Sequence, residues 1–417
     1  MQYGIKYGHG ELALDVPGDR VAGVMAPHEV QAVADVSADV KRAIAAPVES
    51  APLREILHGK GTALIVTVDN TRPSPTPMLL PILEACRAEN VVPTIIIAPG
   101  RHRLMRSEEI ERHLGPGITG SCTVIQHDAF DEAAMVDKGV TARGTAIRVN
   151  KAVFDHDVII GCGIIEPSYL CGWSGGRKLM MPGLAHHESI DNNHFYLTDP
   201  GTRIGRLAGN PVSDDATEFA SALPYHFIVY SLVGPNDEVA GIVAGHPFKA
   251  HAEACRRCAA IYKVDRITAD IVVSSAGGAP YDMDLVQGKK AIIPATETVN
   301  RNGVIILCAE CPEGLGAEGT FIDWLRNKTP AEVVRDVRDR AQFNLGAHGA
   351  NILARPIVEK GATVILVTRA EIAAELEGTY VTAVTDLADA WERANAIAGT
   401  APNVLLIEKA RRLIVTP

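Results

Sequence analysis

The sequence predicts an α/β protein: two α/β domains with mostly parallel sheets and a cleft between them. Three observations predict it. Short β-branched runs alternate with segments of helical periodicity, the pattern of strands joined by crossover helices. The alternation stops near residue 265 and then restarts. The chain has 417 residues, 47% of them apolar and 22% charged, which suits a soluble protein of two or three domains.

The elements follow in order. Residues 63–68 (ALIVTV) read as a buried strand, 77–90 as a helix, and 91–98 (VVPTIIIA) as a second strand. A short helix begins at 107–113, and 122–126 and 157–161 are further strands. Residues 247–263 form a helix that closes the first block, followed by 264–269. The second block has a strand at 270–275 ending on Gly277-Gly278, a helix at 284–300, and strands at 303–308, 362–367 and 402–407. The domains are therefore placed at 1–265, the N-terminal domain with the glycine-rich lysine loop described below, and 266–410, with 411–417 returning to the first.

Charge and composition exclude several classes. A net charge of -10 gives no electrostatic support for nucleic-acid binding. No stretch approaches the ~20 apolar residues of a membrane span, and the amino end lacks a basic region followed by an apolar core. The expected location is cytoplasmic. Cys255/Cys258 and Cys308/Cys311 have Cys-x-x-Cys spacing, but the pairs lie too far apart for a zinc ribbon, and the first falls within a helix. Both read as buried structural thiols.

Four loops at strand ends can carry chemistry, because ligands gather at the carboxyl ends of parallel strands. Asp69-Asn70-Thr71-Arg72-Pro73-Ser74 offers hydroxyls and a planar guanidinium for a carboxylate or phosphate. Gly100-Arg101-His102-Arg103 places an imidazole, a candidate general base, between two arginines. Ser174-Gly175-Gly176-Arg177-Lys178 presents an amine from a small-residue loop near His186, His187 and His194. It lacks the spacing of a Walker phosphate loop, and His186-His187-Glu188 is not the zinc-protease pattern. Gly277-Gly278-Ala279-Pro280 precedes Gln287 and Lys290, which share one helix face.

As a set, Asp69-x-Thr71-Arg72-Pro73, Gly100-x-His102-Arg103, Ser174-Gly175-Gly176-x-Lys178, His194 sixteen residues on, and Gly277-Gly278-x-Pro280 with Gln287-x-x-Lys290 resemble the nickel-dependent lactate racemase family. The resemblance covers roughly residues 69–355. It implies a racemase or epimerase of 2-hydroxy acids. It also implies a nickel-pincer pyridinium mononucleotide, bearing thioamide and thiocarboxylate groups, tethered to Lys178 with His194 as nickel ligand. Ser174, Gly175, Gly176, Asp69, Thr71 and Ser74 would line this cofactor, and dedicated assembly enzymes would be partners. Arg72, Gln287, Lys290 and His348 would hold the substrate. His102 would take the hydroxyl proton while the C2 hydrogen passes as hydride to the cofactor.

The family's second histidine, ten residues before the tether, is Ser168 here. A hydroxyl is not a base at neutral pH unaided. Ser168 and Tyr169 therefore join His102 as candidate catalytic residues, with Glu166, His127 and His348 as further substitutes. Val286 likewise replaces a tyrosine. Both changes point to a reshaped pocket and to a substrate larger than lactate, such as a sugar acid. A non-catalytic anion- or cofactor-binding protein, and an oxidoreductase using the same cofactor, are the alternatives.

Overall fold

The structure, a computed structural model, describes residues 1–316 and 320–416. The chain forms two compact units, Glu29–Ile261 and Met1–His28 with Tyr262–Pro417.

The unit Glu29–Ile261 is built on a six-stranded sheet. Its order is Val239–Gly245, Phe227–Val233, Val158–Ile165, Thr62–Thr67, Val92–Ile97 and Thr123–Gln126. All neighbours are parallel except the first pair. Val158–Ile165 is buried along its whole length, which is why it reads as an unbroken apolar run rather than an alternating one. Helix Thr76–Ala88 covers part of the sheet through Met78, Leu79, Ile82, Leu83 and Cys86, all buried in one cluster with Ile65, Ile95 and Ile160.

Chain order locates the functional end of this sheet. From Thr62–Thr67 the chain steps outward to Val92–Ile97 and Thr123–Gln126. It then returns to lay Val158–Ile165 on the opposite side of Thr62–Thr67. The loops after these two central strands diverge, and such a switch point opens a crevice at the carboxyl ends. The sequence supplies Asp69–Arg72 and Glu166–Lys178 at that place.

Gly161 and Gly163 lie in the central strand and make room for aromatic rings. A side chain on Gly161 would run into the Tyr225 hydroxyl, and one on Gly163 would lie 3.1 Å from Tyr230. Gly161→Ala is therefore expected to cost about 1–3 kcal/mol by overpacking. Thermal unfolding checks this, since the variant should melt several degrees lower.

The second unit carries an all-parallel sheet in the order Thr382–Val384, Thr363–Val367, Val299–Cys308, Ala269–Ser275, Val404–Ile407 and Val21–Met25. Its core includes Ile271, Val273, Val304, Ile306, Ile365 and Leu406.

Two expectations about domain limits are corrected here. The N-terminal segment does not belong with residues 29–261. The hairpin Gln2–Tyr7/Gly10–Asp15 buries Ile5 and Leu14 in the second unit's core, and Val21–Met25 is that unit's edge strand. The boundary falls before Tyr262 rather than at 265, so Ile414–Thr416, paired in parallel with Lys263–Asp265, stays within the second unit instead of returning to Glu29–Ile261. Strand pairing partners are set by long-range packing, which local periodicity does not encode. The helix expected over 284–300 is broken. It runs as Leu285–Gly288, a 3-10 turn Lys289–Ala291, and Ile292–Thr298, and the following strand already starts at Val299.

Candidate active site

The site in the unit Glu29–Ile261 starts from Asp69, two residues beyond the strand Thr62–Thr67. Its carboxylate is buried and accepts hydrogen bonds from Thr71, through both the backbone N–H at 3.2 Å and the hydroxyl. The other carboxylate oxygen lies 2.6 Å from Nδ1 of His102, delivered by the loop after Val92–Ile97. Burial alone would raise the Asp69 pKa. The charge and hydrogen bond of His102, the Thr71 hydroxyl and the nearby Arg72 outweigh it and hold the carboxyl well below the usual range. An ionised acceptor on Nδ1 requires Nδ1 to carry the proton. In the neutral form of the ring the lone pair is then on Nε2, and the side chain is 48% exposed.

Arg72 follows in the same loop. Its Nη1 donates to the Thr71 carbonyl at 2.9 Å, and its Nε lies 3.2 Å from Oε1 of the buried Glu166, which ends the neighbouring strand. This ion pair spans the switch point of the sheet. Ser74, in contrast, donates to the His113 carbonyl at 2.6 Å, joining its loop to helix Ser107–Leu114.

The third loop is folded back on the end of its own strand. Ser174 Oγ donates to the Ile164 carbonyl at 3.1 Å and accepts from the Glu166 N–H at 2.8 Å. Gly175 (φ 69°) and Gly176 (φ 54°) have left-handed backbone. They lead into the 3-10 turn Gly176–Leu179, which carries Lys178. The Lys178 backbone is held at both ends, through Gly175 at 3.0 Å and Gly183 at 2.9 Å. Its amine is half-buried and makes no hydrogen bond or ion pair among the described residues. An amine with no such partner among the described residues is available for a covalent bond.

Gly183 is bonded in turn by the Gly100 N–H at 3.2 Å, so the lysine loop and the His102 loop are joined. Arg101 pairs with Asp191 on helix His187–Phe195, whose next turn carries the half-buried His194. Lys178, His102 and the His194 helix are thus linked through short contacts inside one unit.

Other histidines are committed elsewhere. His127 is fully buried, with Nε2 3.0 Å from the Ala185 carbonyl and Nδ1 3.2 Å from Asn150, and burial pushes its pKa down to about 4. It is no exchangeable base. Glu132, His186 and His187 bring donor atoms within 4.8 Å of one another. However, His186 Nδ1 accepts from Arg148 at 3.1 Å and from the Glu188 N–H at 3.3 Å. Nε2 therefore carries the proton that it donates to Glu132 at 2.9 Å. In this structure these groups form a hydrogen-bonded charge network with Arg148.

Of the substitutes for the second histidine, Glu166 is engaged by Arg72, and Tyr169 packs on the apolar cluster of Leu170, Cys171 and Val212. Ser168 is half-buried, in a two-residue ladder with Gly172. Gln287, Lys290 and His348 belong to the other unit. There Lys290 Nζ donates to Gln287 Oε1 at 2.5 Å, the shared face that their spacing predicts, and His348 is buried in helix Leu345–Lys360. Val286 is buried beside them.

The sequence did not reveal the pairing of Asp69 with His102, or that of Arg72 with Glu166. Each joins loops of two different strands, and no spacing rule connects them.

Comparison with known proteins identifies the family. Residues 7–205 match the model of the lactate racemase N-terminal domain, and residues 264–415 that of the C-terminal domain. The chain is 30% identical to a lactate racemase of Thermoanaerobacterium thermosaccharolyticum, over 99% of this chain and 98% of that protein. It is 29% identical to a lactate racemase of Lactiplantibacillus plantarum, with 90% of each covered. The lactate racemase apoprotein structure from T. thermosaccharolyticum superimposes with a TM-score of 0.92 over 100% of both chains. A Thermotoga maritima protein, 18% identical, shares the fold with a TM-score of 0.68 over 93% of this chain. The chain belongs to the lactate racemase family and is an isomerase.

Proposed function

We propose that this enzyme inverts C2 of a 2-hydroxy acid, with His102 as the base and Lys178 and His194 holding a nickel-pincer mononucleotide. The observation that carries the reading is the Asp69–His102 contact of 2.6 Å, set beside Arg72 at the switch point of the sheet. When bound, the cofactor supplies a two-electron acceptor for the hydrogen at C2. The rest falls to the protein.

Nε2 of His102 accepts the substrate hydroxyl proton and returns it. Positioned proton transfer of this kind contributes about 10²–10⁴-fold. Arg72 has Nη1 on Thr71 and Nε on Glu166, which orients the fork and leaves Nη2 for a substrate carboxylate. Lys178 offers the amine for attachment, and His194 offers an imidazole nitrogen, a ligand suited to nickel. Gln287 and Lys290 present an amide and an ammonium that are already hydrogen-bonded to each other.

Lactate is the substrate named for the relatives. For this chain we favour a longer hydroxy or sugar acid. Ser168 is smaller than the imidazole found at that position in the family, and its neighbour Glu166 is paired with Arg72. The space and the missing base both suit a substrate with its own hydroxyl chain.

A stereochemical screen of 2-hydroxy and aldonic acids with nickel-loaded holoprotein tests the proposal. Inversion at C2 of an aldonic acid at a higher kcat/KM than lactate is the expected result. Adduct-bearing protein that inverts no 2-hydroxy acid would reject it. Ser168→His should shift the preference toward lactate.

A further inference from the structure

Beneath the lysine loop lies a polar arrangement that the reaction itself does not use. His251, on helix Lys249–Tyr262, is fully buried. Its Nε2 donates to the Ser174 carbonyl at 2.8 Å, and its Nδ1 accepts from Nη2 of Arg177 at 3.2 Å. Burial and the neighbouring guanidinium push its pKa down to about 3, so the ring is neutral, with one donor and one acceptor nitrogen. One imidazole thus grips the loop on both sides of Gly175-Gly176. The fit is close, since a Cβ on Gly176 would lie 2.6 Å from the His251 ring. On the other side, the Tyr225 hydroxyl donates to the Gly176 carbonyl at 3.2 Å, and Gly161 provides the space for that hydroxyl.

Arg177 makes the arrangement costly. It is 3% exposed, and Nε and Nη1 have no hydrogen-bond partner among the described residues. A buried guanidinium whose one hydrogen-bond partner among the described residues is a neutral imidazole is destabilising. An apolar side chain would serve the fold at least as well. Observed strain of this sort points to a local function, and the adjacent residue is Lys178.

We infer that His251 and Arg177 are positioning residues: they form a buried clasp that fixes the Ser174–Lys178 turn and so aims the Lys178 amine. The inference rests on the reading of Lys178 as the tether. It assigns neither residue a contact with substrate or cofactor.

The test measures amine accessibility on the chain without cofactor, then cofactor loading. Acetic anhydride acylates free amines, forming the N–C bond as acetate leaves and the amine loses its proton. Peptide mass spectrometry gives the labelling rate of Lys178 relative to the exposed Lys151 and Lys249. Arg177→Met keeps the volume and removes the charge. It should melt at or above the wild-type temperature, yet change Lys178 labelling by about 10²-fold, the scale of a misplacement of about 1 Å. His251→Gln retains a donor and an acceptor and should label like wild type, while His251→Leu should behave like Arg177→Met.

Equal Lys178 labelling in wild type and Arg177→Met overturns the clasp, whether or not His251→Leu folds. Intact mass after co-production with the assembly enzymes separates the two claims. Wild-type protein without an adduct refutes the tether, whereas the labelling comparison still decides the clasp.

Discussion

Lys178→Ala protein, produced together with the cofactor-assembly enzymes, is expected to carry no mononucleotide adduct and to have no measurable isomerase activity. Intact mass spectrometry reads this directly. The substitution is clean for structural reasons. The backbone of residue 178 is held by Gly175 and Gly183, and both contacts survive in alanine. The Lys178 side chain is half-buried and its amine holds nothing else in place among the described residues. Removing it should change stability by no more than about 0.5–1 kcal/mol, so the melting temperature should barely move. Covalent attachment needs a nucleophilic nitrogen at this one position, and Arg177 next to it cannot substitute because a guanidinium stays protonated. An unchanged adduct in Lys178→Ala would mean the tether is elsewhere. His194→Ala gives the complementary result: adduct present, nickel content reduced.

Asp69→Asn should lower kcat by about 10²–10⁴-fold while leaving the adduct and the fold in place. The carboxylate accepts from Nδ1 of His102 at 2.6 Å and so fixes the proton on that nitrogen. An asparagine amide can donate instead, which favours the tautomer with hydrogen on Nε2. The nitrogen proposed to receive the substrate proton is then blocked. His102→Asn should cost about as much, and the double variant little more than either, because two residues acting as one unit are not additive. Additive losses would show that Asp69 contributes in some other way. Steady-state kinetics on the nickel-loaded variants distinguishes these outcomes, since a defect in proton transfer appears in kcat more than in KM.

The two assignments differ in how far the sequence carried them. Lys178, His194 and His102 were named from motif spacing, because each loop is a contiguous segment whose chemistry is local. Asp69 was named too, but as a cofactor residue. Its contact with His102, 33 residues away, appears only once two strands lie side by side. Ser174 shows the same limit. The sequence marks it as part of a ligand loop, whereas its hydroxyl is taken up by the strand end at Ile164 and Glu166. Gly161 and Gly163, in the central strand, make room for Tyr225 and Tyr230, which lie far from them in sequence. His251 carried no signal at all, being one histidine on an ordinary helix 77 residues from the carbonyl it grips.

By itself the sequence determined the α/β class, the alternation of strands and helices, and the family to which the loops belong. Those follow from short-range periodicity and from residue types at fixed spacing. Tertiary structure decided which sheet each outer strand joins, placing Val21–Met25 and Ile414–Thr416 in the unit with Tyr262–Pro417. It also decided which side chains face one another across the switch point. Both depend on contacts between distant segments, where the free energy of burial selects among pairings that are equally good locally.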